Sequence, residues 1–89
     1  MRIQNIANRI EALGGACVID MRRHADGQYI VKLSGKLGEY NVEATNYKSP
    51  SESPAEAETS GIAIKPQAGI SWTYYRAIEA LDLVAKGVM

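Results

Sequence analysis

The 89-residue sequence predicts an α+β fold: a three-stranded antiparallel meander with an N-terminal and a C-terminal helix packed on one face, in the order α-β-β-β-α. Two observations carry that expectation. Between residues 16 and 47, apolar and polar residues alternate at the period of strands, in three runs separated by glycine turns. Residues 3–13 and 71–86 instead repeat apolar residues at the period of a helix.

In the first helix Ile3, Ile6, Ala7, Ile10 and Leu13 form a narrow stripe, opposed by Arg2, Gln4, Asn5, Asn8, Arg9 and Glu11. Gly14-Gly15 stops it. A stripe this narrow suits a helix laid across one sheet face. The first hairpin turns at Ala25-Asp26-Gly27. A two-residue Asp-Gly loop would mix apolar and charged residues on both faces. A three-residue loop with left-handed Gly27 instead pairs Met21 with Val31, Ile19 with Leu33 and Asp20 with Lys32. At the second turn, a four-residue loop Gly35-Lys36-Leu37-Gly38 would pair Leu33 with Tyr40, Val31 with Val42 and Tyr29 with Ala44. Asp20, Arg22, Lys32, Asn41, Glu43 and Thr45 are then left on a solvated outer face, with Val18 and Ile30 as its apolar exceptions.

Residues 48–60 form an acidic, Ser/Pro-rich connection without a large apolar residue, so nothing there is expected to enter a core. Ser53-Pro54-Ala55-Glu56 matches a helix start and would support one or two turns. Ile62 and Ile64 share one side of a short run near 61–65, a candidate fourth strand at the sheet edge that Pro66 would end. The last helix is expected over 71–86, capped by Ser71 and stopped by Gly87, with Tyr74, Ala77, Ile78, Leu81, Val84 and Ala85 on its buried face. The predicted core is Ile6, Ile10, Ile19, Met21, Val31, Leu33, Val42, Ile78 and Leu81.

Hydrophobic content of 46% and charged content of 22% are those of one globular domain, and argue against a membrane span. The net charge of zero hides a division: residues 1–38 are net basic, and residues 39–89 net acidic. One cysteine excludes an intrachain disulfide and suits a reducing compartment. The first residues lack the apolar core of a signal peptide, which points to the cytosol.

Catalytic motifs are absent. Cys17 and His24 fall on opposite faces of a regular strand, so Cys17 reads as a small buried apolar residue and His24 as a turn residue. One His and one Cys make no metal cluster, and Ser34-Gly35-Lys36-Leu37-Gly38 lacks phosphate-loop spacing. No cofactor is expected. The predicted helix-meander-helix order is similar to that of double-stranded-RNA-binding domains. In that family a lysine-rich cluster at the start of the final helix grips phosphates, but the matching segment here, residues 69–76, carries one positive charge, Arg76.

The functional expectation is therefore a small non-catalytic protein-binding module: an accessory, adaptor or inhibitor protein of the kind a phage or mobile element encodes. Its candidate partner-binding residues are Trp72, Tyr75, Arg76, Glu79 and Leu83, read as the outer side of the last helix. A rival placement folds Ile62, Ile64 and Ile70 over Trp72 as a satellite cluster. The alternative function is nucleic-acid binding through Arg2, Arg9, Arg22, Arg23 and Lys32. Unpaired edges on the Cys17 and Tyr40 strands also invite a homodimer.

Overall fold

The computed structural model describes residues 1–49 and 56–87. In chain order the elements are α1 (Ile3–Ala12), β1 (Ala16–Arg23), β2 (Tyr29–Leu37), β3 (Tyr40–Ser49), β4 (Ile62–Pro66), β5 (Thr73–Tyr75) and α2 (Ala80–Ala85). The five strands form one antiparallel sheet in the order β1-β2-β3-β4-β5. Both helices pack on the same face, because residues of α1 and α2 join the inward side chains of the sheet in one apolar cluster.

The first hairpin has the expected register, with Met21 opposite Val31, Ile19 opposite Leu33 and Asp20 opposite Lys32. His24 N–H donates to Gln28 O (2.6 Å), and Gly27 N–H donates to His24 O (3.0 Å) with Gly27 at φ 87°. That is the bonding of a three-residue loop closed by a left-handed glycine. The Asp26 carboxylate fastens it further by accepting from Gln28 N–H (3.0 Å).

The second hairpin is tighter than the sequence suggested. Leu37 pairs with Tyr40, Gly35 with Val42 and Leu33 with Ala44, so the loop is Gly38-Glu39 alone. Gly38 lies at φ 59°, the left-handed conformation that two-residue hairpins need at their first position. Lengthening β2 buries Leu37 to 2% exposure. It also sets Gly35 where a Cβ would stand 2.9 Å from Cys17 Cβ and 3.2 Å from Ile10 Cδ1, so α1 can lie close over the sheet. Because the displacement is an even number of residues, Val42 and Ala44 still face inward.

Two elements depart further from expectation. β4 is an inner strand between β3 and β5, and the second sheet edge is β5 rather than the Tyr40 strand. The expected last helix is divided: Thr73–Tyr75 is strand, and only Ala80–Ala85 is helix. Ser71 therefore caps nothing, whereas Gly87 does end the helix at φ 72°. Trp72-Thr73-Tyr74-Tyr75 is an aromatic and β-branched run of strand-forming type, and the open edge of β4 supplies the partner that turns this preference into structure.

The core is correspondingly redistributed. Ile6, Ile10, Val31, Leu33, Val42 and Leu81 are fully buried as expected. Met21 is not; it stands 42% exposed on β1, which among the described residues has a neighbouring strand on one side only. Ile19 and Ile78 are partly buried. In their place the core takes Ile3, Leu37, Ile62, Ile64 and Val84. Ala57 overturns the expectation that the acidic connection contributes nothing, since it is 1% exposed. Ile3 N–H donates to Ala57 O (2.9 Å) and Thr59 N–H to Met1 O (2.8 Å), so residues 57–59 pair with the start of α1. The candidate helix start at Ser53 lies outside the described residues.

Candidate functional site

Because both helices lie on one face, the opposite face of the sheet is uncovered among the described residues, and the register dictates what it displays. One cross-strand row runs Val18, Ser34, Glu43, Ala63, Tyr74. A second runs Ala16, Lys36, Asn41, Lys65, and Trp72 extends it just before β5. A third, Asp20, Lys32, Thr45, carries the charged side, where Lys32 Nζ lies 3.5 Å from Glu43 Oε1. Val18 is 61%, Tyr74 52% and Trp72 43% exposed, so three large apolar side chains stand in water on a single face.

Trp72 is held in position. Lys65 Nζ sits 5.6 Å from its ring centroid and also donates to Gly69 O at 2.9 Å, which fixes the ammonium over the indole. Tyr74 is anchored by a 2.6 Å hydrogen bond between its hydroxyl and that of Ser60. Between Trp72 and β1 lies a groove of ≈ 420 Å³, bordered by Val18, Ser34, Lys36, Asn41 and Glu43. Asn41 Oδ1 is buried without a hydrogen-bond partner among the described residues. Burying an acceptor unpaired is costly.

The expected partner-binding residues separate into two places. Tyr75, Arg76, Glu79 and Leu83 border a second depression, of ≈ 480 Å³, beside α2. Trp72 is not among them. A strand alternates its side chains between faces, so Trp72 and Tyr74 go to the uncovered face while Tyr75 turns toward Ile62. The satellite cluster does not form either: Ile62 and Ile64 are buried in the main core, and Ile70 is 95% exposed. Val18 is on the outer face as expected, whereas Tyr74, expected on the buried face of the last helix, stands in water there. The alternation of Trp72 and Tyr74 with Thr73 and Tyr75 was the signal for it.

The basic set does not converge. Arg9 makes a two-pronged ion pair with Asp82 on the helical side, Nε to Oδ1 at 3.1 Å and Nη2 to Oδ2 at 2.8 Å. Arg22 and Lys32 lie on the opposite face, in a depression shared with Asp20 and Glu43. Arg2 pairs through its backbone with Glu58, and Arg23 ends the edge strand.

Cys17 and His24 are likewise apart. Cys17 Sγ points toward α1, 3.9 Å from Ala7 O, and burial, followed by the nearby Glu11 carboxylate, pushes its thiol above the usual range. That is the reverse of an activated nucleophile. His24 Nδ1 lies 3.1 Å from Asp26 Oδ1 within the exposed turn. Among the described residues no three His, Cys, Asp or Glu side chains gather to hold a metal, and no helix is long and apolar enough to cross a membrane. Comparison with known proteins found no matching family model, no matching curated protein and no matching solved structure.

Proposed function

We propose that this chain is a small non-catalytic protein-binding module, an accessory, adaptor or inhibitor that engages another protein through its uncovered sheet face. The observation that carries the reading is the presence of three exposed side chains on one sheet face: Trp72 and Val18 border the groove, and Tyr74 stands on the same face. Aromatic side chains flanked by a cation have the composition of binding hot spots, and an apolar surface left in water is stabilised when a partner covers it. The depression beside α2, with Tyr75, Arg76, Glu79 and Leu83, is a separate and more polar surface. A single free cysteine suits a reducing, cytosolic setting.

Nucleic-acid binding is the lesser reading. Arg9 and Lys32 are occupied by carboxylates, and the five candidate cations are spread over both faces of the sheet. Affinity capture from the native host separates the surfaces when wild type is compared with Trp72→Ala and Leu83→Ala. Trp72→Ala is expected to keep a near-normal melting temperature and to lose at least about tenfold in partner affinity, as a hot spot would. A captured protein that binds Trp72→Ala as tightly as wild type would remove the sheet face from consideration.

A further inference from the structure

We propose that β1 pairs with β1 of a second copy across a two-fold axis at Ile19, so that the two sheets become continuous. β1 closes one side of the sheet with eight residues and contains neither proline nor lysine. Monomeric proteins usually blunt an edge of that length with proline, charged side chains or a covering segment; the charges of β1, Asp20, Arg22 and Arg23, fall opposite Val18, Ala16 and Gly15 of the second copy in this register and so meet no like charge.

The direction of the free hydrogen-bonding groups fixes which registers are open. His24 N–H bonds to Gln28 O, so the even-numbered residues of β1 address β2. The N–H and C=O groups of Cys17, Ile19, Met21 and Arg23 therefore point to the open side. Keeping the inner faces continuous requires odd residues opposite odd residues. A two-fold axis at Ile19 satisfies both conditions, setting Ile19 opposite its own copy and Cys17 opposite Met21 of the second copy. An axis at Asp20 would place two carboxylates directly opposite each other, and axes further out shorten the ladder.

Packing and charge agree with this register. Met21, 42% exposed, and the half-buried Ile19 and Cys17 are the inward side chains of β1, and the seam covers all three. α1 packs on both β1 and β2. With strands about 4.8 Å apart, the two α1 axes would lie roughly 10 Å from one another, a normal helix-packing distance. On the helical wheel Arg9 and Glu11 occupy opposite flanks of α1. Arg9 is directed to Asp82 on α2, which leaves Glu11 toward the open edge, near Cys17. Arg23 of the second copy comes beside Gly15, at the carbonyl end of α1, where both Glu11 and the helix dipole favour a cation. Symmetry makes this contact twice.

Sedimentation equilibrium of the full chain from micromolar to millimolar concentration tests the proposal. Wild type is expected to dimerise. Glu11→Arg or Arg23→Glu alone should weaken the dimer about tenfold, and the two together should restore most of it, because both side chains are exposed and the swap recovers their mutual attraction though not the smaller dipole contribution. In a Cys17→Ser background, Ile19→Cys should form an intermolecular disulfide on oxidation, since directly opposite residues lie within bridging distance. A monomer at every concentration overturns the proposal. So does a dimer indifferent to both charge reversals, or one that Ile19→Cys fails to cross-link. Circular dichroism of each variant shows that a lost dimer is not a lost fold.

Discussion

Cys17 shows how a single side chain takes its chemistry from its surroundings. Its position on an inward-facing site of β1 under α1 removes it from water, and Glu11 adds a negative charge nearby; both disfavour the thiolate. Alkylation by iodoacetamide is accordingly expected to be slower than that of a free thiol at neutral pH. The sign follows from the raised pKa: the protonated form persists to higher pH, so the rate should climb only above the ordinary thiol range. A rate at pH 7 equal to that of glutathione would mean that α1 does not cover this site. Gly61 illustrates the same dependence on neighbours, since a Cβ there would stand 2.5 Å from both Tyr74 Cζ and Tyr75 O. The absence of a side chain at Gly61 is what lets β5 and Tyr74 close against the chain.

At the scale of elements, the two helices differ in how much they owe to the sheet. α1 has a ten-residue stripe with Ile3, Ile6, Ala7 and Ile10 buried, whereas α2 has six residues, of which Ala80, Leu81 and Val84 are buried. So short a helix is marginal by itself and is held by what its apolar residues touch. Leu81→Ala is expected to cost about 2 to 5 kcal/mol in urea denaturation, through lost burial and the cavity left behind. Met21→Ala in the isolated subunit should cost less, about 1 kcal/mol, because Met21 is 42% exposed there and leaves no closed cavity. Equal losses at the two positions would show that the cores are assigned wrongly. The division of residues 71–86 also lies at this scale. Its helical period was legible, but the aromatic and β-branched residues at its start preferred a strand, and β4 offered them one.

For the molecule as a whole, the segregation of covering elements decides what is available for binding. Both helices and residues 57–59 occupy one side, where Arg9 pairs with Asp82, while Lys32 pairs with Glu43 on the other. Electrophoretic shifts with duplex RNA and DNA at two salt concentrations are expected to show no complex at physiological salt; a salt-sensitive shift at micromolar protein would restore the nucleic-acid reading. Much of this architecture could be read from residues alone. The period of residues 3–13, the glycine stop after them and the left-handed Gly27 fixed α1 and the first hairpin, because each depends on contacts a few residues apart. The parity of strand residues likewise assigned Val31, Leu33 and Val42 to the core whichever second turn formed. The tertiary structure decided the rest: the Gly38-Glu39 turn, the inner place of β4, the strand at Thr73–Tyr75, and with it the side on which Trp72 stands. Those outcomes rest on pairing between distant segments, where burial of Leu37, Ile62 and Ile64 outweighs a local helical preference, and one strand residue more or less sends an aromatic ring to the opposite face.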